Sequence, residues 1–385
     1  MNDPFMEFVT DTAVGPDQTE RNVVFNRRQL LKTMGGGTGA VASSFSLMIP
    51  VQAGASDHTS IIIGYERTNP DAPAEGLTPV EKDVPDDWYE DLQRARRAKA
   101  KIRQEFGGRT GVVGVGLEPG KYGGENASVQ VDVLPDYLSE LGGAVPEGVG
   151  DVPVRVVEGS GITPDGHSPC DDGLSNCNDY DHFSQIPGGM ICEADETGTL
   201  MSRMYDENNN PRFATAGHLF DAKDATGESL YHPDSSHDAI GEVVRSHCYD
   251  DFVLAAGRNS HSALGEIEGV TPTDVNGHFS KNGVNDLMAS DEYIKKMGQT
   301  SCQTCGTVES TEYIHWGYGC TPKDAQVVWG EASDSQAGDS GAPVFHENPN
   351  NSSYQWIVSF DLWSGSFSAG GTSAYSIVNT HGYSF

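Results

Sequence analysis

Short apolar runs, each rich in β-branched or aromatic residues, fill the C-terminal half of this chain and are broken by glycine, asparagine and aspartate. The clearest runs are residues 212–214, 239–244, 252–255, 326–329, 342–345 and 355–360. No alternation of strand and helix patterns follows residue 186. Because short strands separated by turn residues are typical of barrels and sandwiches, we predict an all-β fold for residues 186–385.

Residues 336–344 read Gln-Ala-Gly-Asp-Ser-Gly-Ala-Pro-Val, a glycine-flanked turn that presents the hydroxyl of Ser340. Glycine allows backbone dihedrals closed to other residues, and it lets N–H groups gather at one point, as an oxyanion hole requires. The Gly-x-Ser-x-Gly elbow of α/β-hydrolases does not fit, because Ala342 stands where that motif needs glycine. The turn therefore predicts an exposed serine nucleophile.

A serine nucleophile needs a base, and the base needs an orienting acid. Residues 212–220 run from an apolar strand into small residues and His218. Asp250 and Asp251 precede another apolar run, which starts directly after the second of them. We therefore predict Asp251 as the orienting acid, with Asp250 as its competitor. The order His, Asp, Ser is one of several in which such triads occur.

All three local sequences resemble motifs of chymotrypsin-like serine proteases. These are Thr-Ala-Gly-His at 215–218, Asp-Phe-Val-Leu-Ala at 251–255 and Gly-Asp-Ser-Gly-Ala-Pro-Val at 338–344. The resemblance covers residues 186–385 and implies a pair of six-stranded β-barrels with the active site in the cleft between them. His218 and Asp251 would come from the first barrel and Ser340 from the second.

The resemblance also implies a role for each residue. Ser340 attacks the scissile carbonyl, His218 takes its proton and passes it to the leaving amine, and Asp251 holds the imidazole tautomer. The backbone N–H groups of Gly338 and Ser340 bind the oxyanion. The implied activity is that of an endopeptidase acting on protein or peptide substrates through an acyl-enzyme.

The resemblance to trypsin-like enzymes is only partial in the pocket that binds the side chain preceding the scissile bond. Asp334 stands where trypsin-like enzymes place the carboxylate that binds arginine or lysine, and Ser359 lies on the strand that resembles the pocket wall. Two features depart from the family: Gln336 replaces the usual cysteine, and Phe-Asp at 360–361 replaces Trp-Gly. Cleavage after basic residues is thus one expectation for this chain.

The N-terminal residues resemble a twin-arginine export signal. Asn-Arg-Arg-Gln-Leu-Leu-Lys at 26–32 precedes a glycine-rich apolar stretch at 33–52, and Ala-Gly-Ala at 53–55 supplies a cleavage site. The alternative is a membrane helix, which the glycines disfavour. We predict a signal peptide at residues 1–55, secretion, and no stable membrane anchor.

The formal net charge is −32, with only 24 basic residues, yet 36% hydrophobic and 9% aromatic residues support a folded core. At molar salt the screening length falls to about 3 Å, so an acidic surface no longer repels itself. With the export signal, this composition looks like that of a secreted protein of a halophilic archaeon. The charge also argues against nucleic acid and anionic membranes as partners.

Residues 56–158 carry a different pattern, which predicts a small α/β unit. Its elements are a helix at 86–106, strands at 111–117, 128–134 and 152–158, and a short helix at 136–141. Basic side chains cover the outer faces of the long helix. The unit is either a propeptide that docks on the acidic protease or an accessory domain. The residues at 159–185, rich in glycine, aspartate, serine and asparagine, predict a linker.

The seven cysteines, in an exported chain, predict disulfides with at least one thiol left over. A zinc site at Cys302, Cys305, His315 and Cys320 is the weaker alternative, and calcium at residues 171–181 is another. We expect no cofactor, no metal and a monomer. The functional alternatives are a catalytically silent, protease-like binding module and an exported esterase with the same triad.

Overall fold

The strands of the chain follow the runs that the sequence marks as apolar. The computed structural model describes residues 57–73, 76–159, 177, 183–221, 223–316, 320, 323–365 and 368–385. Within them the chain is mostly β, and each apolar run named above lies wholly or mainly in a strand. The predicted signal at 1–55 and almost all of the predicted linker lie outside the described residues.

The predicted elements of the N-terminal region form, and two further strands precede them. The strands are β1 (His58–Glu66), β2 (Thr78–Pro85), β3 (Val112–Glu118), β4 (Ser128–Val133), β5 (Gly148–Val149) and β6 (Val152–Glu158). The helices are α1 (Asp86–Phe106) and α2 (Leu138–Leu141). Helix α1 has the predicted bounds because its apolar side chains recur at helical spacing and form one buried face, which includes Trp88, Leu92 and Phe106.

The next part of the chain forms the sheet that carries two of the predicted catalytic residues. Its strands are β7 (Gln185–Gly188), β8 (Ile191–Glu193), β9 (Thr197–Thr199), β10 (Met204–Tyr205), β11 (Pro211–Ala216), β12 (Ser229–Tyr231), β13 (Ala239–His247), β14 (Phe252–Gly257) and β15 (Ser262–Ile267). Seven of them pair in the order β10-β11-β14-β13-β12-β8-β9, and β15 pairs with β7. Phe213, Phe252 and Leu254 lie in the core beneath this sheet.

The last part of the chain supplies the strands around the predicted nucleophile. They are β16 (Val275–Phe279), β17 (Tyr293–Gly298), β18 (Cys302–His315), β19 (Lys323–Trp329), β20 (Pro343–Glu347), β21 (Gln355–Phe360), β22 (Trp363–Ser364) and β23 (Ala369–Thr372). Two helices, α3 (Lys281–Ala289) and α4 (Ala374–His381), accompany them.

Strands from the N-terminal region and from the last part of the chain share one sheet. Its order is β2-β1-β16-β21-β20-β17-β18-β3-β4-β6-β5, with β19, β23 and β22 branching from β18. Strand β1 pairs with β16, and β3 pairs with β18. The unit Ala55–Phe385 therefore contains both predicted domains. The boundaries at 56–158 and 186–385 and the two six-stranded barrels stay predictions, since the described strands form sheets of 14, 7 and 2.

Disulfides, as predicted, take up the cysteines that could have formed a zinc site. Cys177 is bonded to Cys302 and Cys248 to Cys320, and Cys305 is also in a disulfide. Cys192 is a buried free thiol. Among the described residues no group of metal-ligating side chains comes together, and none of the helices there has the length and apolarity to span a membrane. The alternative calcium stretch at 171–181 lies outside these residues, apart from Cys177.

Candidate active site

Two paired strands bring His218 and Asp251 to the same end of one sheet. Ala216 at the end of β11 pairs with Phe252 at the start of β14. The chain leaves β11 in a short 3-10 turn, Gly217–Leu219, and enters β14 through Asp251. The two residues are thus neighbours because antiparallel pairing places the exit of one strand beside the entry of the next.

Hydrogen bonds connect the three predicted catalytic residues in series. The Nδ1 atom of His218 lies 2.9 Å from Oδ2 of Asp251, and its Nε2 atom lies 2.9 Å from Oγ of Ser340. The backbone N–H of His218 donates to the other carboxylate oxygen of Asp251 at 2.9 Å. Asp251 is buried, and the His218 side chain is largely so. The imidazole is therefore fixed from both sides.

Backbone geometry distinguishes Asp251 from its neighbour Asp250. Asp251 has φ 56, in the left-handed region, and its carbonyl accepts a hydrogen bond from the N–H of Gly217 at 2.9 Å. A Cβ atom at Gly217 would lie 3.2 Å from Asp251, so this close approach favours glycine. The Asp250 carboxylate faces elsewhere and accepts from Nε2 of His381 at 2.8 Å. Of the pair, only Asp251 contacts His218.

The turn that carries Ser340 has the strained conformation that its glycines allow. Gly338 has φ 102 and Gly341 has φ 95. Thr199 holds the turn from the neighbouring sheet: its Oγ1 donates to the carbonyl of Gly338 at 2.8 Å and its N–H donates to the carbonyl of Ser340 at 2.9 Å. The N–H groups of Gly338 and Ser340 donate to no acceptor among the described residues.

A buried ion pair stabilises the residue that precedes Ser340. Oδ2 of Asp339 lies 2.6 Å from Nζ of Lys296, and neither side chain is exposed to solvent. The Asp339 carboxylate also accepts from the N–H groups of Thr300, Ser301 and Gln336. Burial alone would raise the pKa of Asp339, but the Lys296 charge and these hydrogen bonds lower it.

A second buried carboxyl lies behind the nucleophile. The carbonyl of Asp361 accepts from the N–H of Gly341 at 2.7 Å, and its Oδ2 accepts from Oγ of Ser335 at 2.6 Å. Its Oδ1 is buried and has no hydrogen-bond partner among the described residues. Burial raises the pKa of Asp361 to about 7, against the charge of Lys296.

The two residues expected to form the specificity pocket are both buried. Asp334 ends a short turn, Ala332–Asp334, where its Oδ2 accepts from the N–H of Glu331 at 2.8 Å. Ser359 lies in β21, fully buried, and pairs with Ser373 across an isolated bridge. Neither residue lines the cavity beside Ser340.

The cavity beside Ser340 has a volume of about 450 Å³. Its lining residues are Glu196, Thr197, Leu219, Gln299, Ala337, Gly338 and Ser340. Among them only Glu196 is charged at neutral pH, and its side chain is exposed. The cavity therefore contains one carboxylate together with the nucleophile and the backbone of Gly338.

Lys296 is not among the site residues predicted from the sequence, although the sequence holds a signal for its burial. Lys295 and Lys296 are consecutive in β17, and successive side chains of a strand point to opposite faces of the sheet. Since β17 lies inside the large sheet, between β20 and β18, one of the two lysines had to point inward. A buried lysine then requires a carboxylate partner.

No protein-family model and no curated protein matches the chain. Similar solved structures include a glutamic acid-specific serine protease (17% identity, 52% of this chain and 99% of that one, TM-score 0.38). Others are Nocardiopsis protease (12% identity, 52% and 98%, TM-score 0.38) and Cellulomonas bogoriensis chymotrypsin (14% identity, 52% and 98%, TM-score 0.38). Similarity this low supports no functional argument, so the function rests on the geometry of the site.

Proposed function

We propose that this chain is a serine endopeptidase of the chymotrypsin-like class, which hydrolyses peptide bonds in protein or peptide substrates. The observation that carries the proposal is the continuous series of hydrogen bonds from Asp251 through His218 to Ser340, each 2.9 Å long. A base oriented by a carboxylate and bonded to a hydroxyl is the arrangement that activates serine as a nucleophile.

In the acylation step, Oγ of Ser340 forms a bond to the scissile carbonyl carbon while Nε2 of His218 takes the hydroxyl proton. The carbonyl oxygen becomes an oxyanion and accepts hydrogen bonds from the N–H groups of Gly338 and Ser340, each worth about 3 kcal/mol in the transition state. The carbon–nitrogen bond then breaks, and the imidazolium of His218 gives its proton to the leaving amine.

Deacylation repeats these steps with water. His218 takes a proton from the water molecule, whose oxygen attacks the acyl carbon, and the oxyanion forms in the same place. Ser340 leaves with the proton from His218, and the second product departs as a carboxylic acid. Throughout, Asp251 stays ionised and stabilises the imidazolium.

A fluorophosphonate probe tests the proposal, because it reacts covalently only with an activated serine. We expect peptide mapping to locate the label on Ser340, and the label to be lost in His218→Ala. Asp250→Asn is the matched control and should keep it. A folded protein without label would instead favour the silent binding module. A protein that is labelled at Ser340 and hydrolyses esters, but does not hydrolyse peptides, would favour the esterase.

We propose separately that the enzyme cleaves after basic residues, with Asp334 and Ser359 binding the side chain that precedes the scissile bond. Both side chains would have to face the substrate, and the Asp334 carboxylate accepts a hydrogen bond from its own turn. Mapping of cleavage sites in a peptide library measures this preference. Lysine or arginine before most scissile bonds would support it, and a neutral or acidic majority would contradict it.

We also propose that the protein is exported by the twin-arginine route and works in salty surroundings as a monomer, with no nucleic-acid partner. The disulfides among the described residues are compatible with an extracellular location. Replacing Arg27 and Arg28 by lysine should leave the protein inside the cells. Secretion of this variant at the normal level would contradict the route.

A further inference from the structure

We propose that the cavity beside Ser340 binds a cationic side chain of the substrate, contributed by a residue that follows the scissile bond, and that Glu196 selects it. This inference rests on the proposed peptidase function and names a substrate class for it. It depends on where the cavity lies and on which of its lining residues carries charge.

The lining places the cavity on the side of the leaving group. Leu219 lines it and directly follows His218, the residue that passes a proton to the leaving amine. Gly338 lines it too, so the cavity reaches the place of the oxyanion. Ser335 and Asp361, which lie behind the nucleophile, do not line it.

Glu196 is available to a ligand, whereas the neighbouring acids are engaged. The Glu193 carboxylate accepts from Oγ of Ser235 at 2.8 Å, and the Asp195 carboxylate accepts from the N–H of Asp221 at 2.8 Å. The Glu196 carboxylate takes part in no hydrogen bond or ion pair among the described residues. Because the other described residues that line the cavity are uncharged, a lysine or arginine side chain is the complementary ligand.

The experiment compares peptides that differ only in the residue after the scissile bond, lysine against leucine, at sites first found in a peptide library. At the lowest salt concentration at which the protein stays folded, where exposed charges are screened least, we expect Glu196→Gln to lower kcat/KM for the lysine peptide up to about fivefold. The leucine peptide should be unaffected. At molar salt the difference should shrink. Glu193→Gln removes the same charge outside the cavity and is the control.

An equal effect of Glu196→Gln on both peptides, or an equal effect of Glu193→Gln, would overturn the proposal for Glu196. The fluorophosphonate label on Ser340 separates this outcome from failure of the proposed function. If Ser340 is labelled but the enzyme shows no lysine selectivity, only the proposed role of Glu196 is refuted. If the protein is neither labelled nor active, the proposed peptidase function is refuted.

A second inference comes from a different part of the molecule: we infer that residues 57–159 remain a permanent part of the active protein rather than an inhibitor that is removed. Strand β1 lies inside the large sheet, with β2 on one side and β16 on the other. The backbone of Ile63 lies so close to Gly283 of α3 that no Cβ atom fits there. Removing β1 would expose both the edge of β16 and the part of α3 that this backbone covers.

Buried charges also join the two regions. Arg96 of α1 lies 2.6 Å from a carboxylate oxygen of Glu312, whose side chain is 9% exposed. Lys82 of β2 lies 2.8 Å from the carboxylate of Asp286, which is 7% exposed. Departure of the N-terminal residues would break both ion pairs, and Glu312 would keep only Lys281, 3.2 Å away, of the cations that pair with it here.

The site itself needs no release of the N-terminal region. None of the described residues that line the cavity beside Ser340 belongs to 57–159. The Asp339 carboxylate beside the nucleophile is paired with Lys296, which lies outside 57–159, so this ion pair does not depend on cutting the chain. Among the described residues, nothing from the N-terminal region covers the site.

To test this, a recognition sequence for a site-specific protease is inserted after Ser160, with a scrambled sequence as control. We expect the uncut and cut proteins to react with the fluorophosphonate at Ser340 at equal rates. The two pieces should elute together at working salt. A rise in rate of about tenfold or more on cutting, with release of the N-terminal piece, would overturn the inference. Absence of label before and after cutting would instead refute the proposed function.

Discussion

Nζ of Lys296 lies 2.6 Å from Oδ2 of Asp339, and both side chains are wholly excluded from solvent. The pair adjoins the nucleophile directly, because Asp339 stands between Gly338 and Ser340, the two predicted oxyanion donors. The same carboxylate accepts from the N–H groups of Thr300 and Ser301. Loss of either charge would therefore disturb the loops on both sides of the oxyanion hole.

We predict that Lys296→Met lowers the free energy of unfolding by about 3–5 kcal/mol, because it leaves a buried carboxylate unpaired. Fluorophosphonate labelling at Ser340 should fall at least about 100-fold, as expected when an oxyanion donor is misplaced. Denaturant titration and labelling rates measure the two effects. Lys295→Met is the matched control, since this neighbouring lysine belongs to the opposite face of β17 and should change neither quantity appreciably.

The double variant Lys296→Met/Asp339→Asn separates stability from catalysis. Removing both charges should recover much of the lost stability, since no unpaired ion remains buried. Labelling should stay low, because a neutral amide holds the N–H groups around residue 339 less strongly than a carboxylate does. Full recovery of labelling would show that the ion pair serves stability alone.

The choice between the two adjacent aspartates is testable by charge removal. Asp251→Asn should lower kcat by about 10⁴-fold, because an amide at Oδ2 favours the wrong imidazole tautomer. Asp250→Asn should cost less than about tenfold, since its carboxylate bonds to His381 and not to His218. Steady-state kinetics on one peptide substrate compare them. An equal loss in both variants would contradict the assignment.

A side chain at Gly338 should damage the oxyanion hole. With φ 102, alanine there is strained, and its Cβ atom would collide with Gln299 and Thr300. We expect Gly338→Ala to slow labelling at Ser340 by about 100- to 1,000-fold. Gly227→Ala is the control, because Gly227 also has a left-handed φ, 95, but does not line the cavity beside Ser340. It should label at the native rate, and equally fast labelling of Gly338→Ala would contradict the prediction.

The parts of this site that are encoded by residues close together in the sequence are the parts that the sequence predicts. The surroundings of His218, Asp251 and Ser340 are encoded by a few residues on either side of each. The spacing of apolar residues likewise predicts helix α1 with its bounds. The position of β1 was not predictable in this way, since its pairing with β16 joins residues more than 200 positions apart.

The burial of charged residues was harder still to predict. Asp334, expected to face the substrate, is drawn into hydrogen bonding within its own turn, as aspartate often is. The sequence marks Asp361 only as a departure from the pattern of chymotrypsin-like proteases. Its contact with Ser335 depends on the register between β20 and β21, which the sequence does not state. The partner of a buried carboxylate depends on which distant residue the fold brings next to it, and the residues adjacent in sequence do not contain that information.

Asp361 gives the last prediction, a stability difference that depends on pH. Its pKa is about 7 in the folded protein and about 4 in an unfolded chain, so the folded state holds one more proton between these values. The contribution of Asp361 to stability is complete below pH 4, falls as the pH rises to 7, and is constant above. Asparagine does not titrate and keeps an acceptor for Ser335.

We therefore expect Asp361→Asn to gain stability over the native protein as the pH rises from 4 to 8, by on the order of 4 kcal/mol. Denaturant titrations at four or five pH values measure this difference. Asp238→Asn is the matched control, because it removes the same charge from an exposed position and should show no such trend. A pH-independent difference for Asp361→Asn would show that this carboxyl is ionised in the folded protein well below pH 7.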